Sequence, residues 1–574
     1  MNSAKDAPLS TKLDNAVSVI IVGAGPSGLA AANLLGLYGI ETLLLERHDG
    51  LSTYPKAITI DDEGLRICQA MGLAEAVLAD TLSDLEVHYL AGKQYLAHVK
   101  PRSHRNGYSL ISTFYQPAFE AALLQGLTRF PHVTVLFGHS VEAFAQNGQG
   151  LQVHVRAPDG TRLHIPCTYL LACDGGKSML RQALGISLLP LSWLLPAGLP
   201  SADRGHKKRP YGQRWLVVDC HNDEDSSPTA IFFCNPSRPT VTLAAPHGHR
   251  RWEFMLLKGE REEDLLQDDN IYALIKQARM QQKEVTHVEY SSPPQIMRSA
   301  VYTFHSALAN SFVRGNVFLL GDAAHLMPPF SGQGMNSGLR DAHNLCWKLQ
   351  AVLQGQASSR LLTSYQQERK PHAAQMIRFS AILGKLIMPT SHSLAFLRDT
   401  FLRNVQHIAP LRHSITEMRV KPAPRYAQGF LLPAKGRYSR HITGQLLPQP
   451  YVLLPEGRRV LCDEVLGPGF ALLRLYENPS EAFSHFTHAI WQGLIVRFVC
   501  VMPLDTPPDR LTNMQKEHEK TMPIIDIEGK LAEFLGQQHN LCVLVRPDRY
   551  VMGAFASEDA DRYAQLSGQL LQTK

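Results

Sequence analysis

The sequence of 574 residues contains no CxxC pair, no long apolar run and no cluster of basic residues. Its nine cysteines are isolated from one another, which argues against a zinc site or a redox dithiol and predicts reduced core cysteines. No apolar run approaches the roughly 20 residues that span a bilayer. The net charge of +6 is small and dispersed. We therefore expect no metal site, no nucleic-acid partner and no membrane span.

The first 19 residues, MNSAKDAPLSTKLDNAVSV, lack the continuous apolar core of a signal peptide, which predicts a cytoplasmic protein. The most apolar short stretch is SLLPLSWLLPAGLP, which begins at Ser187, and its three prolines oppose a helix. A buried or surface loop is the favoured interpretation of this stretch, and contact with a membrane is the alternative.

Length and composition indicate a globular chain of several domains. The chain is too long for one ordinary core, and a content of 44% hydrophobic and 19% charged residues argues against disorder. Buried strands alternate with helical patterns in two stretches, while the alternating segments at 215–257 predict an antiparallel sheet. We predict an α/β fold in which a Rossmann-like domain, to which the motifs below assign the cofactor, comprises 15–186 and 301–435. An antiparallel substrate sheet at 187–300 is inserted within it, and a C-terminal domain follows at 436–574.

The first motif is the glycine-rich turn GAGPSG, which lies between a predicted strand at 17–22 and a predicted helix. Gly23 permits the tight turn, Gly25 lets the backbone approach a pyrophosphate, and Gly28 lets the helix pack closely on the sheet. The N-terminus of the helix then binds the anion. Glu46 ends the next predicted strand, where a carboxylate accepts a hydrogen bond from a ribose hydroxyl. The motif predicts a dinucleotide site and leaves FAD and NAD open.

The second motif is GDAAHLMPPFSGQGMNSG, which starts at Gly321 after the apolar strand NVFLL. Asp322 lies at the strand end, where it can accept hydrogen bonds from a sugar-alcohol chain. A helix predicted to begin near Asn336 directs its positive end at a planar ligand and stabilises the negative charge of reduced flavin. The loop that brings backbone N–H groups to this ligand contains Gly332, Gly334, Met335 and Asn336. This motif favours FAD over NAD.

The third motif is DGGKSMLR, which starts at Asp174 after the apolar strand YLLAC. An acid at the end of a parallel strand lies at the edge of the sheet where ligands bind. Arg181 on the following helix can contact a phosphate or pair with Asp174. When this motif is read alone, a purely structural turn with an ion pair is an open alternative.

Together the three motifs resemble those of the class A flavoprotein monooxygenases, the family of para-hydroxybenzoate hydroxylase and phenol hydroxylase. The quoted segments are GAGPSG, CDGGKSMLR and GDAAHLMPPFSGQGMNSGLRDAHNLCWKL, and they occur in the family's order. Three further segments, YPKAITIDDEGLR, RFPHVTVLF and RRWEFM, are most similar to the branch of 3-(3-hydroxyphenyl)propionate hydroxylases. The similarity to this branch extends over nearly the whole chain.

The resemblance implies a bound FAD and either NADH or NADPH as the reducing co-substrate. The ADP half of FAD would contact the three glycines of the first motif and Glu46, and Asp322 would bind the ribityl chain. The remaining cofactor contacts that the resemblance implies are those of Lys56, Gln116, Asp174, Arg181, Gly321, Gly332, Gly334, Met335 and Asn336. Lys56 departs from the arginine that is common in the family, and a lysine lacks the bidentate phosphate geometry of arginine.

The C-terminal residues resemble the thioredoxin-like tail of the phenol hydroxylase group, and LVRPDRYV at 544–551 supports this. Because the tail contains no CxxC pair, dithiol chemistry is not expected. A structural role or a contact in a homodimer is the expectation for this domain.

Several residues are candidates to act on the aromatic ring. The resemblance points to Tyr302 as a substrate-site tyrosine and to Pro328 at the flavin edge, although a packed core tyrosine explains Tyr302 equally well. His305 and His325 are further candidates, and both also fit a capping or packing role. A substrate carboxylate would need an arginine. The arginines near the substrate sheet are Arg214, Arg250 and Arg251, and we expect each to be a solvated surface charge.

The predicted function is hydroxylation of a phenolic aromatic acid, such as 3-(3-hydroxyphenyl)propionate or 3-hydroxycinnamate, to a catechol. The reaction would use NAD(P)H and O2 in the catabolism of aromatic compounds. The segment 187–213 is longer and more apolar than expected for the branch, so a related monooxygenase of larger phenolic or polyketide substrates is an alternative. Two other hypotheses are a non-enzymatic flavin-binding protein and a plain NAD dehydrogenase, which would leave the second motif without a role.

Overall fold

A computed structural model describes residues 16–147, 150–190, 213–225, 227–286, 288–475, 483, 486–494, 496–507, 511, 521–536 and 540–571. Most of segment 187–213 lies outside the described residues. The chain divides into two compact units. The first unit comprises Met1–Ser103, Ser109–Ala342 and Ala373–Pro422, and the second comprises His104–Tyr108, His343–His372 and Ala423–Lys574. The four-part division that we predicted from the sequence stays a prediction.

The strands of the first unit are numbered β1 to β21. They are β1 Val17–Val22, β2 Thr42–Leu45, β3 Thr59–Asp61, β4 Thr81–Leu82, β5 Glu86–Ala91, β6 Gln94–Val99, β7 Ile111–Phe114, β8 Val133–Leu136, β9 Ser140–Asn147, β10 Gly150–Arg156, β11 Arg162–Ala172, β12 Leu188–Pro190, β13 Gln213–His221, β14 Thr229–Phe233, β15 Thr240–Ala245, β16 His249–Met255, β17 Gln295–Phe304, β18 Ala307–Ala309, β19 Val313–Arg314, β20 Val317–Leu319 and β21 His325–Leu326.

The helices are numbered in the same way, and α8 and α9 contribute residues to both units. They are α1 Pro26–Leu37, α2 Asp62–Ala70, α3 Ala74–Leu78, α4 Gln116–Leu127, α5 Met179–Ala183, α6 Glu262–Leu265, α7 Asp268–Thr286, α8 Gln333–Leu353, α9 Thr363–Ile387, α10 His392–Gln406 and α11 Ala409–Thr416. No helix among the described residues combines the length and the apolar character that crossing a membrane requires.

A parallel sheet organises the cofactor-binding part of the first unit. Its strands lie in the order β20-β11-β1-β2-β8, and each neighbouring pair is parallel. The apolar, β-branched run of β1 is buried, as expected for a strand covered on both faces. Helix α1 begins at Pro26, where the fixed φ of proline suits the first helical turn. The α/β fold class predicted from the sequence is therefore confirmed.

A seven-stranded sheet forms the second layer of the first unit, in the order β17-β13-β16-β15-β14-β5-β6. The segments predicted at 215–257 supply four of these strands, and they pair antiparallel as expected. Strands β5 and β6 come from a much earlier part of the chain, and β14 pairs with β5 in parallel. Sequence alternation alone did not assign these two strands to the inserted sheet, because such long-range pairing leaves no local signal.

The second unit contains another seven-stranded sheet. Its strands are β22 Tyr451–Leu453, β23 Arg459–Leu461, β24 Phe470–Leu475, β25 Val496–Met502, β26 Thr521–Asp526, β27 Leu541–Val545 and β28 Val551–Ala556. The strand order is β23-β22-β26-β25-β24-β27-β28. Its helices are α12 Gly436–Ile442, α13 Cys462–Leu466, α14 Ala489–Gly493, α15 Lys530–Leu535 and α16 Ala560–Leu571.

A charged cluster is buried within the second unit. Arg546 binds both carboxylate oxygens of Glu368 at 2.7 and 2.8 Å, and its Nε donates to Asp548 at 2.9 Å. Lys348 and Asn344 donate to Glu368 at 2.6 and 2.7 Å. Burial raises the pKa of Glu368, but Arg546 and Lys348 outweigh it and hold the pKa at about 2. The cluster is stable because its two acids and two bases compensate one another.

Replacing Arg546 with methionine should destabilise the protein strongly. The Arg546→Met variant leaves two buried carboxylates with one cation, which costs about 3–5 kcal/mol. The matched control is Lys435→Met, which breaks an exposed pair with Asp559 at 3.3 Å and should cost less than about 1 kcal/mol. Urea unfolding followed by circular dichroism measures both, and equal losses in the two variants would contradict this account of the cluster.

Candidate active site

A cavity of about 1100 Å³ opens in the first unit where β1, β2 and β11 end. Val22, Leu45 and Cys173 lie at these strand ends and line the cavity, which places it at the carboxyl edge of the parallel sheet. The cavity continues along one face of the seven-stranded sheet, where Val217 and Phe232 line it. One part of the cavity is therefore rich in glycine and polar groups, and the other has an apolar wall.

The turn between β1 and α1 depends on its glycines. Gly23 adopts a φ of 106°, which disfavours other residues, and a Cβ on Gly28 would lie 1.9 Å from the Gly23 carbonyl oxygen. By contrast, no atom lies within 4 Å of a Cβ built on Gly25, which faces the cavity. No side chain caps the N-terminus of α1. Its first N–H groups are thus oriented to bind an anion beside Gly25.

Glu46 follows β2 and lines the same part of the cavity. Its carboxylate accepts hydrogen bonds from the backbone N–H of Ala24 at 2.9 Å and of His48 at 3.0 Å. These bonds fix the carboxylate beside the glycine turn. A carboxylate has further acceptor capacity, so Glu46 can also accept from a ribose hydroxyl.

Gln116 fixes a loop at the cavity wall. Its Oε1 accepts from the backbone N–H of Lys56 at 2.7 Å and of Ala57 at 2.6 Å, and its Nε2 donates to Glu120 at 2.7 Å. Arg251 holds the same loop by donating to the carbonyl of Lys56 at 2.8 Å. Gln116 and Lys56 both line the cavity, and the structure thus assigns Gln116 a role in shaping it.

Asp174 and Arg181 do not pair in the way that the third motif allowed. Asp174 Oδ2 accepts from the N–H of Leu180 at 3.2 Å, while its Oδ1 is buried and has no partner among the described residues. Arg181 donates to the carbonyls of Ala323 at 3.0 Å and Gly176 at 2.9 Å. Asp174 lines the cavity and Arg181 does not, so Arg181 joins two turns whereas Asp174 can accept from a ligand.

The turn at Gly321 packs against the N-terminal turns of α1 and α8. A Cβ on Gly321 would lie 2.5 Å from the Ser27 hydroxyl oxygen, and a Cβ on Gly338 would lie 2.1 Å from the same atom. Asp341 accepts from the Gly321 N–H at 3.0 Å and lies 2.7 Å from His325 Nε2. His325 is thus a buried positioning residue. We did not single out Gly338, which ends the second motif, or Asp341, which lies three residues beyond it in the longer segment quoted for the resemblance.

Asp322 follows Gly321 and is exposed to the cavity, although protein surrounds it. This enclosure raises the pKa of Asp322, while the charges of His325 and Lys56 oppose the rise. A carboxylate in such a position gains from hydrogen bonds donated by ligand hydroxyls. The ribityl chain of a flavin supplies donors of this kind.

The loop before α8 forms another wall of the cavity, to which Gly332, Gly334, Met335 and Asn336 contribute. Helix α8 starts at Gln333, three residues before the predicted start at Asn336. Asn336 braces the loop by accepting from the Asp61 N–H at 3.1 Å and donating to the Gly332 carbonyl at 2.7 Å. A Cβ on Gly334 meets no atom within 4 Å. Pro328 is buried beside the wall, and its neighbour Pro329 lines the cavity.

The arginines expected at the surface occupy different environments. Arg214 is exposed and lies 3.9 Å from Glu262. The expectation was wrong for the other two. Arg250 is fully buried with Asp223 at 3.0 Å, and Arg251 is buried on the cavity wall with Asp219 at 2.7 Å. Alternation along β16 could not reveal this, because the acid partners lie on other segments.

Tyr302 on β17 lines the cavity, and its hydroxyl accepts a hydrogen bond from Arg298. The Arg298 guanidinium also lies 4.8 Å from the ring centroid of Tyr54. His305 follows on the same segment and does not line the cavity. Of the three side chains considered for ring chemistry besides Pro328, the structure brings only Tyr302 to the cavity.

Lys421 is a charged cavity residue that the sequence analysis missed. Lys421 lines the cavity and donates to Asp61 at 2.9 Å. Arg340 also donates to Asp61, and its Nε binds Glu63 at 2.8 Å. Burial raises the pKa of Asp61, but Arg340 and Lys421 outweigh it and hold the pKa far below its usual value. This cluster braces the turn that Asn336 contacts.

These features fit FAD. The free helix N-terminus at Gly25 suits a pyrophosphate, and the unpartnered Oδ1 of Asp174 and the exposed carboxylate of Asp322 suit sugar hydroxyls. Open space at Gly25 and Gly334 lets a ligand approach the backbone. A cavity of about 1100 Å³ exceeds what a single small substrate needs.

Adding one methyl group at Gly25 should separate cofactor binding from folding. Gly25→Ala meets no protein atom, so its melting temperature without added FAD should match that of the unchanged protein. The methyl group occupies the space of the pyrophosphate, so FAD affinity should fall by about 10- to 100-fold. Fluorescence titration with FAD measures this loss. Gly493→Ala, also with no neighbour within 4 Å, is the control, and unchanged FAD affinity in Gly25→Ala would contradict the assignment.

Two family models match the chain. One is described as FAD binding domain and matches residues 16–380, which is more than half of the chain. The other is described as HcaD C-terminal domain and matches residues 444–569.

Curated relatives match over almost the full length. A 3-(3-hydroxy-phenyl)propionate/3-hydroxycinnamic acid hydroxylase of Klebsiella pneumoniae (strain 342) is 37% identical, over 94% of this chain and 92% of its own. The protein of the same name in Mycolicibacterium smegmatis (strain ATCC 700084 / mc(2)155) is 36% identical, over 97% of this chain and 93% of its own.

Solved structures share the fold. The flavin-dependent monooxygenase PieE, in complex with FAD and substrate, has a TM-score of 0.73 at 20% identity and covers 97% of this chain and 99% of its own. An aklavinone-11 hydroxylase complex with FAD and aklavinone has a TM-score of 0.71 at 22% identity over the same shares.

Proposed function

The chain belongs to the FAD binding domain family and is an FAD-dependent aromatic-ring hydroxylase, and from this premise we propose its substrate. FAD is the bound cofactor, and NAD(P)H is the co-substrate. The proposed substrate is a phenolic acid, 3-(3-hydroxyphenyl)propionate or 3-hydroxycinnamate, which becomes a catechol. The observation that supports this choice is identity of 36–37% with hydroxylases of that name over more than nine-tenths of both chains.

We assign the cofactor contacts from the geometry of the cavity. Gly23, Gly25, Gly28 and Glu46 form the site for the ADP half, with Lys56 and Gln116 at the adjoining loop. Asp174 and Asp322 accept from the sugar hydroxyls, and Gly321 and Arg181 support these turns. Pro328 and the loop of Gly332, Gly334, Met335 and Asn336 would hold the flavin edge of the cofactor. When bound, FAD takes electrons from NAD(P)H and activates O2.

The protein's contribution to the reaction is to position the phenol and exclude water. The substrate lies against the apolar wall of the seven-stranded sheet, which includes Val217, Phe232 and Val241. An apolar wall keeps the reacting atoms dry and limits unproductive loss of hydrogen peroxide. Tyr302 contributes a polar group to this wall, and its bond from Arg298 fixes the hydroxyl toward the substrate.

A larger phenolic or polyketide substrate is the second candidate. The cavity volume and the fold shared with an aklavinone hydroxylase support it, whereas the identity of 22% to that protein shows the fold alone. The apolar segment 187–213, which raised this alternative, lies mostly outside the described residues.

We also propose that the second unit has a thioredoxin-like fold. Strands β26, β25 and β24 are parallel neighbours, and β27 and β28 extend the sheet antiparallel. Helix α16 follows β28 along the chain. The homodimer and the cytoplasmic location stay predictions from the sequence, and size-exclusion chromatography with light scattering tests the former.

The FAD-loaded protein should oxidise NADH much faster with 3-(3-hydroxyphenyl)propionate than without it. The catechol product should match the NADH consumed, because the apolar wall keeps the reaction coupled. Absorbance at the NADH band and chromatography of the product measure both quantities. Benzenepropionate, which has no ring hydroxyl, is the matched control and should give no catechol.

Two results would contradict the proposed substrate. Stimulated oxidation with only hydrogen peroxide would mean that the cofactor site is right and the substrate is wrong. No stimulation by either phenolic acid, with stimulation by a polycyclic phenol, would favour the second candidate.

Replacing Tyr302 with phenylalanine should uncouple the reaction. Tyr302→Phe removes the hydroxyl that Arg298 fixes, so the phenol is held less firmly and the catechol formed per NADH should fall several-fold. Chromatography of the product and a hydrogen peroxide assay measure the ratio. An unchanged ratio would mean that Tyr302 only packs against its neighbours.

A further inference from the structure

The wall that the seven-stranded sheet contributes to the cavity contains a buried acid. Glu253 on β16 lies directly opposite Val217 of β13 and Val241 of β15, and all three line the cavity. Only 7% of Glu253 is exposed. A buried carboxylate without a hydrogen-bond partner is costly, so its presence on this wall needs a physical reason.

The neighbouring arginine does not supply that partner. Arg251 lies two residues earlier on the same strand, and its guanidinium makes four hydrogen bonds, two to Asp219 and one each to the carbonyls of Pro55 and Lys56. Asp219 already compensates the charge of Arg251. Among the described residues, nothing donates a hydrogen bond to the Glu253 carboxylate, which leaves it open to a ligand in the cavity.

The charges around Glu253 set its protonation. Burial raises its pKa to about 6, Arg251 on the same strand opposes the rise, and Asp219 on β13 adds to it. On β15 the residues that line the cavity are apolar, whereas on β17 Tyr302 lines the cavity and accepts a hydrogen bond from Arg298 of the same strand. Lys421 and Lys56 also line the cavity. Glu253 is thus mostly ionised at neutral pH and still basic enough to take a proton.

We propose that Glu253 is the catalytic base that accepts the proton of the substrate's ring hydroxyl, an inference that rests on the proposed function. The phenolic O–H bond breaks, the proton moves to a Glu253 oxygen, and the electron pair stays on the phenolic oxygen and activates the ring. The complete reaction consumes the phenol, O2, NADH and a proton and gives the catechol, NAD+ and water. Glu253 is deprotonated again at the end of each cycle.

This role also sets the direction in which an aromatic acid enters. The ring hydroxyl meets Glu253, and the substrate's own carboxylate points away from it, because two carboxylates repel each other in an apolar environment. The proposed phenolic acids meet this requirement, because the ring hydroxyl and the carboxylate side chain are attached to different, meta-related ring carbons.

The test compares Glu253→Gln and Glu253→Asp with the unchanged enzyme, each loaded with FAD. For the unchanged enzyme, kcat/KM for catechol formation should fall about tenfold per pH unit below about pH 6. Glu253→Gln should lose about 100-fold in kcat/KM at pH 7.5. It should also lose the fall in kcat/KM below about pH 6, which we call the acid limb of the pH profile. Glu253→Asp keeps a carboxylate and should keep the limb at a reduced rate.

A substrate that needs no base gives a readout that a structural role would not move. A nitro group beside the ring hydroxyl makes the phenol ionised at pH 7.5. With this analogue, Glu253→Gln should recover to within about tenfold of the unchanged enzyme. The matched control is Glu86→Gln on β5 of the same sheet, since Glu86 pairs with Lys100 and does not line the cavity. It should keep the acid limb.

The outcomes separate this inference from the proposed function. A Glu253→Gln enzyme with the unchanged kcat/KM and acid limb would overturn the base while catechol formation continues. Equal losses on the phenol and on its ionised analogue would also overturn it, because they indicate a structural role. If the unchanged enzyme forms no catechol from either phenolic acid, the proposed function itself is wrong.

Discussion

The close approach of two helices around Ser27 is the constraint on which the cofactor site depends. Gly321 and Gly338 each leave too little space for a Cβ beside the Ser27 hydroxyl, and Gly28 packs in the same way against the Gly23 carbonyl. Because these contacts involve backbone and small side chains, the N-termini of α1 and α8 can both lie at the edge of one cavity. Their partial positive charges are then directed at two separate parts of the cavity that a long, anionic cofactor would fill.

The cofactor site could be predicted from the sequence because its signals are local. The strand, glycine turn and helix around Gly25 lie within a few residues, and so do the acid and glycines after Gly321. The role of Arg181 could not be predicted, because its acceptor Ala323 lies 142 positions along the chain. For the same reason Arg251, which donates to Pro55 across 196 positions, was expected at the surface and is buried.

The apolar wall of the seven-stranded sheet contains residues that stabilise the fold and residues that we assign to the reaction. Burying Arg251 is stable only with Asp219 beside it, and this pair fixes the loop that Gln116 holds from the other side. The wall thereby positions the cofactor loop and presents Glu253 to the substrate in an apolar environment. A strand pattern shows where apolar residues alternate, but it does not reveal which charged residues share the buried face. The positions of these charged residues follow only from the way in which β13, β15 and β16 pair in the sheet.

The chemistry proposed for the enzyme is insertion of one oxygen atom of O2 into a phenolic acid. Turnover of 3-(3-hydroxyphenyl)propionate under isotopically labelled O2 in unlabelled water distinguishes this source of oxygen from water. The catechol should contain one labelled oxygen per molecule, because the inserted atom comes from O2. A catechol that contains only unlabelled oxygen would show that the inserted atom comes from water and that the enzyme is not a monooxygenase.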